Sequence, residues 1–143
     1  MNLEIKGAKE LQKKLAELSK QGAKRAARKA VNAGTTVLLK AIRANTPVDT
    51  GDLKQALTKK ITKSRGGYNG IVGADKNFVG ANGELPSHYD HLVEGGHKTE
   101  DGGTVPPRPF IRSGFDQSQR QALDTYSSKL ATEIEAEALK GNG

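Results

Sequence analysis

The chain has 143 residues, of which 34% are hydrophobic and only 4% aromatic, and it carries a net charge of +7. This length predicts a single domain over residues 1–143 with one modest core of Leu, Ile, Val and Ala. The lack of cysteine excludes disulfides and thiolate metal sites, and the lack of a long apolar run argues against a membrane span or a secretory signal.

The charge is unevenly distributed along the chain. Residues 1–45 contain 11 Lys and Arg against 3 Asp and Glu, whereas residues 113–143 contain 3 against 5. A basic first third and a mildly acidic end can serve nucleic-acid binding or head-to-tail contact between identical subunits.

The first third predicts a short strand followed by two helices. Leu3 and Ile5 alternate with polar neighbours, which is typical of a strand. A helix over about residues 8–19 and a longer one over about 23–45 follow from the spacing of their apolar residues. The apolar face of the longer helix consists of Ala23, Ala26, Ala30, Ala33, Val37 and Ala41, broadened by Leu38 and Ile42.

The other side of the longer helix is basic, with no acid among its charged residues. This face has two open interpretations: a solvated surface, or a surface that meets DNA or an acidic partner. The cations concerned are Lys20, Lys24, Arg25, Arg28 and Lys29.

The chain must turn sharply after Asn45. Pro47 lacks an N–H group and disfavours helix in the residue before it, and Gly51 can adopt a positive φ. We therefore predict a structural corner, after which Leu57 joins a buried segment. The corner residues are Pro47, Asp49, Thr50, Gly51 and Leu53.

The middle of the chain predicts a β-hairpin and two polar loops. Residues 56–64 and 68–74 have strand-like patterns separated by a Gly-containing turn. Residues 75–87 and 95–105 are rich in polar residues and Gly, and we expect both to be flexible loops. Residues 88–94 form a short ordered piece whose type the pattern leaves open.

The segment Pro106–Arg112 is predicted to be extended because its prolines oppose helix. Phe110 and Ile111 should dock into the core, so the segment is either a connector within the chain or an arm at a subunit boundary. A last helix should cover about residues 113–139, with a disordered end at 140–143. Its apolar stripe consists of Phe115, Ala122, Tyr126, Leu130, Ile134 and Ala138.

Two patterns could carry chemistry. Asp49-Thr50-Gly51 is the tripeptide of aspartic proteases, but it follows a helix and a proline rather than an apolar strand, which favours a turn. His88, His91 and Glu94 would share one face of a helix and could bind zinc, although no His-Glu-x-x-His motif is present. A turn and polar loop histidines are the default interpretations, and a hydrolase that uses Asp49 or the His cluster stays open as an alternative.

Three stretches together resemble the small tail-component, or head–tail joining, proteins of long-tailed bacteriophages and prophages, the gene-ten family of HK-type lambdoid phages. The first stretch is Thr46–Leu53, which is similar to the family's corner. The second is Tyr89–Gly96, and the third is Pro107–Arg112, similar to its Pro-Phe-(Leu or Ile)-Arg arm. The sequence departs from the family pattern at Ala56, where serine is common, and at Ser113-Gly114, where proline–alanine is common.

The resemblance implies a structural virion protein with an α+β fold. It implies no catalytic residue, no metal and no cofactor, so we expect no enzyme. A small antiparallel sheet would pack against the long N-terminal helix pair and the C-terminal helix. The protein would form a ring homo-oligomer at the head–tail junction, with a hexamer as one candidate. Its other partners would be the tail-tube or terminator and head-connector proteins, genomic DNA would pass through, and assembly would take place in the host cytoplasm.

Within this interpretation, a short set of residues is predicted to form subunit contacts. They are Glu94, Arg108, Pro109, Phe110, Ile111 and Arg112. The alternative function is a stand-alone basic DNA-binding protein that uses the helix around Lys20–Lys29.

Overall fold

The computed structural model of the chain describes residues 7–48 and 51–141. It has the predicted α+β fold, with long helices and a small antiparallel hairpin. The predicted opening strand at Leu3 and Ile5 and the corner residues Asp49 and Thr50 lie outside the described residues. In the part of the chain that is described, no helix combines the length and the apolar character needed to cross a bilayer.

The described elements follow the predicted order, with additions in the middle of the chain. The helices are α1 (Ala8–Ala16), α2 (Lys20–Asn45), α3 (Asp52–Ala56), α4 (Pro86–Gly95) and α5 (Phe110–Gly141). The strands are β1 (Leu57–Ser64), β2 (Gly67–Ala74), β3 (His97–Lys98) and β4 (Thr104–Val105). β1 pairs with β2, and β3 pairs antiparallel with β4, with His97 opposite Val105.

The chain divides into two compact units. Unit 1 comprises residues 1–37, 60–71 and 119–143, and unit 2 comprises residues 38–59 and 72–118. Each unit is assembled from distant stretches of sequence. The unit boundaries fall inside α2, the β1–β2 hairpin and α5, so each of these elements contributes residues to both units.

The core of unit 1 lies between α2 and α5. Ala26 and Ala30 are buried against Leu130 and Ile134, and the α1 leucines pack on this cluster. Small residues on α2 let the helices approach closely: a Cβ added at Gly34 would lie 3.1 Å from the backbone oxygen of Ala122 on α5. Gly34 is therefore a site of close helix packing.

The core of unit 2 is built around Phe110. This side chain is only 2% exposed and packs with buried residues of α2, α3 and β1. At Gly114, one turn further along α5, a Cβ would lie 2.6 Å from the Cα of Ile42. The glycine is thus required by a backbone contact, which explains one departure from the family pattern. The cluster contains Leu39, Ile42, Leu53, Leu57 and Phe110.

The start of α5 differs from the prediction. The helix begins at Phe110 rather than at Ser113, so Pro109 directly precedes the first helical residue instead of lying in an extended Pro106–Arg112 arm. Proline opposes helix only beyond the first turn, so it does not exclude a helix that begins immediately after it. The predicted stripe also included Phe115, which is 44% exposed, whereas Ala122, Leu130 and Ile134 are buried as expected.

Two short elements were not predicted. Residues 52–56 form α3 rather than a direct continuation into β1, and residues 95–105 contain the β3–β4 hairpin rather than only loop. Elements of five and two residues are too short to show a hydrophobic period. The ordered piece of open type, residues 88–94, belongs to α4, whose first residue is Pro86.

Candidate subunit-contact site

The described residues around the predicted corner run from the end of α2 into α3. The helix ends at Asn45, and the buried Thr46 hydroxyl donates a hydrogen bond of 2.7 Å to the Ile42 carbonyl, which satisfies an acceptor in the last turn. Gly51 has φ +83°, a left-handed conformation that favours glycine, and leads directly into α3. Leu53, the last corner residue, is buried in the core of unit 2.

Asp52 links the corner to the loop that precedes α4. Its carboxylate is buried, and the Ala81 backbone N–H donates to Oδ2 at 3.3 Å. A Cβ at Gly80 would lie 2.5 Å from the same oxygen, so a larger residue there would displace the carboxylate. The residues after Gly51 are therefore anchored within unit 2.

Glu94, near the end of α4, caps the N-terminus of α5. One of its carboxylate oxygens accepts a hydrogen bond from the Ile111 N–H at 2.8 Å, and the other accepts from the Arg112 N–H at 3.0 Å. The first N–H groups of a helix have no partner within the helix, and an anion at this end is stabilised by the helix dipole. Glu94 thus performs the role of an N-cap side chain from 17 and 18 residues away.

The segment before α5 is held against the end of α4. The Arg108 N–H donates to the Val93 carbonyl at 2.8 Å. Gly96 has φ +71°, and a Cβ there would lie 2.7 Å from the Val105 oxygen and 2.8 Å from the Pro107 nitrogen. The chain on either side of the Pro106-Pro107 pair can therefore pass Gly96 only because that residue has no side chain.

These features surround one hollow of about 220 Å³ in unit 2. Its lining brings together the corner, the end of α4 and the proline segment, which are the three stretches singled out in the sequence. Val105, Pro106 and Arg108 are exposed beside it. The lining residues are Pro47, Gly51, Leu53, Tyr89, Val93, His97, Val105, Pro106 and Arg108.

The six residues predicted to form subunit contacts fall into two groups. Phe110 is buried in the core of its own chain, Ile111 is partly buried against that core, and Glu94 is engaged with α5. Arg108, Pro109 and Arg112 are exposed. Sequence reasoning missed Gly96 as a packing residue, although the pair Gly95-Gly96 at the end of a helix was a signal for a tight approach.

The basic face of α2 is partly neutralised within unit 1. Arg25 donates from Nε and from one guanidinium NH₂ to the two carboxylate oxygens of Glu137, at 2.9 and 2.8 Å. Lys29 Nζ lies 3.3 Å from a carboxylate oxygen of Glu133. Two cations of the basic face, whose open interpretations were a solvated surface or contact with DNA or an acidic partner, therefore pair with acids of their own chain.

In the ion pair of Arg25 and Glu137, the pKa of the Glu137 carboxylate is strongly lowered. Hydrogen bonding from Arg25 lowers its pKa to about 2, with the positive charges of Arg25 and Lys140 adding to the effect and burial opposing it. The same bond raises the pKa of Arg25. At Glu133, the hydrogen bond from Lys129 is the largest cause of a lowered pKa, and Lys29 adds to it.

Neither chemical pattern in the sequence forms a site in the described residues. Asp49 and Thr50 of the protease-like triplet lie outside them. His91 is exposed, with Nδ1 3.7 Å from a carboxylate oxygen of Asp90, and Glu94 faces the α5 N–H groups. Across residues 7–48 and 51–141, no three His, Asp or Glu side chains are grouped as metal ligands.

Comparison with known proteins places the chain among bacteriophage tail components. A family model described as "Bacteriophage HK97-gp10, putative tail-component" matches residues 9–96, more than half of the sequence. The chain belongs to this HK97-gp10-like family, which confirms the resemblance. The matched range contains the corner and the end of α4 and stops before the proline segment. No curated protein and no solved structure matches the chain.

Proposed function

We propose that the protein forms a ring of identical subunits at the head–tail junction of the virion, where it completes the tail or joins it to the connector. Membership of a tail-component family supports a structural role rather than catalysis, and makes other phage structural proteins its natural partners. It also favours this role over that of a stand-alone DNA-binding protein.

One observation carries the proposed subunit contact. The corner, the end of α4 and the proline segment converge on one surface of unit 2, and this surface presents apolar and cationic groups together. Val105 is 37% exposed and Val48 is 63% exposed, and both lie in unit 2 with the exposed Arg108 and Arg112. Protein interfaces are enriched in Arg, and exposed apolar patches commonly mark interaction sites.

The proline segment is suited to this role because it is ordered before a partner binds. Its backbone is tied to Val93, the helix that follows is capped by Glu94, and its prolines have fixed φ angles. A segment that is already ordered loses little conformational entropy on association, which favours affinity. In this proposal Arg108, Pro109 and Arg112 touch the neighbouring subunit, whereas Glu94, Phe110 and Ile111 hold them in position.

Light scattering on the purified protein tests this proposal. We expect the wild type to form a closed oligomer of uniform mass. Val105→Asp and Arg112→Glu should reduce it to monomers without changing the secondary structure, because both side chains are on the surface. Leu139→Asp changes a side chain that is 75% exposed in unit 1 and should leave the oligomer intact.

Two results would count against the proposal. One is a wild-type protein that remains monomeric at high concentration even when tail-tube protein is added. The other is a wild-type oligomer that both unit 2 variants retain and only Leu139→Asp disrupts.

A further inference from the structure

The cations of α2 divide into two sets. Arg25 and Lys29 pair with acids on α5. Lys20, Lys24 and Arg28 are exposed. Their spacing of four residues places them along one side of the helix, and each is about 6 Å further along the helix axis than the one before. Of the carboxylates that the structure describes, none pairs with these three cations.

A hollow of about 350 Å³ in unit 1 extends this cationic side of α2 to the β1–β2 hairpin. Lys24 contributes to the lining from α2, and Lys63 contributes from β1. No acidic residue is present in the lining, which is otherwise apolar or small. The lining residues are Leu15, Ala23, Lys24, Ala27, Lys63, Ser64, Gly66, Gly67 and Tyr68.

The hairpin turn adds a further cation and an open backbone. Arg65 is exposed at the turn, and Gly66 has φ +84°. Apart from the adjacent residues of the chain, no described residue has an atom within 4 Å of the position that a Cβ would occupy at either Gly66 or Gly67. A ligand can therefore approach the main chain of the turn closely, as phosphate groups do at glycine-rich turns.

We propose that these five cations form a groove that binds the phosphate backbone of double-stranded DNA. The residues of this basic groove are Lys20, Lys24, Arg28, Lys63 and Arg65. The proposal rests on the proposed function, because a ring at the head–tail junction is traversed by the genome. It departs from the sequence prediction by excluding Arg25 and Lys29 and by adding the hairpin.

The groove suits a nucleic acid better than an acidic protein. Three of its five cations are lysines, which protein–protein interfaces disfavour and phosphate contacts use freely. Tyr68 is the one aromatic residue in the lining, so a platform for stacking successive bases of a single strand is not provided. Sequence-independent binding to a duplex backbone is the expected mode.

Salt dependence of DNA binding by the full-length oligomer gives the quantitative test. Fluorescence anisotropy with a labelled duplex should show that log K falls with log[salt] at a slope of about −4.5 for each subunit that engages the duplex through five phosphate contacts. The variant Lys24→Gln/Lys63→Gln should reduce the magnitude of that slope by about 1.8 for each engaged subunit and weaken binding equally for unrelated DNA sequences.

A second double variant tests whether DNA binding depends on the groove or only on the net charge of the protein. Lys40→Gln/Lys98→Gln removes the same charge from exposed positions in unit 2 and should leave the slope close to that of the wild type. Equal losses in the two double variants would overturn the proposal. So would tight binding of poly-glutamate with no binding of DNA, because the surface would then recognise an acidic protein.

The oligomeric state of the same samples distinguishes the two proposals. A ring that ignores DNA at low salt would overturn the groove and leave the proposed assembly standing. A monomer that binds DNA through the groove would overturn the proposed ring instead.

Discussion

Gly96 determines how closely the chain before α5 can approach the end of α4. Its positive φ disfavours any side chain, and the atoms that would meet a Cβ belong to the main chain of Val105, Pro106 and Pro107, which cannot rotate away. By contrast, the neighbouring Gly95 is helical and has no atom within 4 Å of its Cβ position. Two adjacent glycines therefore have different roles.

The variant Gly96→Ala should lower the free energy of unfolding by about 2 kcal/mol or more, because it combines backbone strain with a steric clash. Gly95→Ala should be neutral or stabilising by up to about 1 kcal/mol, because alanine favours helix. Urea unfolding of both variants provides the measurement. Similar stabilities for the two would show that the close passage at Gly96 does not limit the fold.

The role of Glu94 could be predicted from the sequence only in part. The resemblance singled out the residue, and its chemistry is that of a helix cap, but its partners lie 17 and 18 residues further along the chain. A capping box is recognisable only when donor and acceptor are within one turn of each other. Nothing in the structure tests a subunit contact at Glu94, and the proposed function gives this residue a positioning role instead, because its contact with α5 is the one that the structure reveals.

At the scale of elements, α2 and α5 are joined in unit 1 by charge as well as by small residues. The Glu137 carboxylate has a pKa of about 2 in the folded protein, against an ordinary value of 4.5. Above pH 4.5 it is ionised in both the folded and the unfolded chain, so its ion pair contributes fully to stability. As the pH falls from 4.5 towards 2, the unfolded chain takes up the proton first and the contribution is lost.

The variant Glu137→Gln should therefore be less stable than the wild type at pH 7. This difference in stability should shrink as the pH is lowered from 4.5 to about 2, where the wild-type carboxylate is itself becoming protonated. Thermal unfolding followed over this range measures the difference. Glu135→Gln, an exposed position on the same helix, should show little difference at any pH. If the loss of stability in Glu137→Gln stayed constant with pH, the ion pair would not be the source of the lowered pKa of Glu137.

The elements themselves were predictable where local signals were strong. Pro47 marked the end of α2, and Gly66 and Gly67 marked the hairpin turn, so both fell within a few residues of their observed places. The start of α5 lies three residues before its predicted position, because only Pro109 directly adjoins the helix and a proline there is compatible with helix initiation. The close approach of Gly114 to Ile42 joins two distant helices, which no local pattern encodes.

For the whole molecule, net charge was a poor guide to which surface is available. The basic first third and the acidic end suggested contact between subunits, yet Arg25 and Lys29 find Glu137 and Glu133 in their own chain. These partners are separated by 112 and 104 residues, so only the fold brings them together. Among the described residues, we propose the basic groove of unit 1 and the apolar and cationic surface of unit 2 as the surfaces that meet other molecules.

The central claim is that the surface of unit 2 around the proline segment meets another copy of the chain. Because the sequence has no cysteine, a single Val105→Cys variant can carry a photoreactive benzophenone at one defined place. Illumination of the assembled protein should yield covalent links between copies, forming a ladder that ends at the ring size, whereas the same label on Leu139→Cys should not. Links confined to single chains at position 105, with links between copies at position 139, would contradict the account.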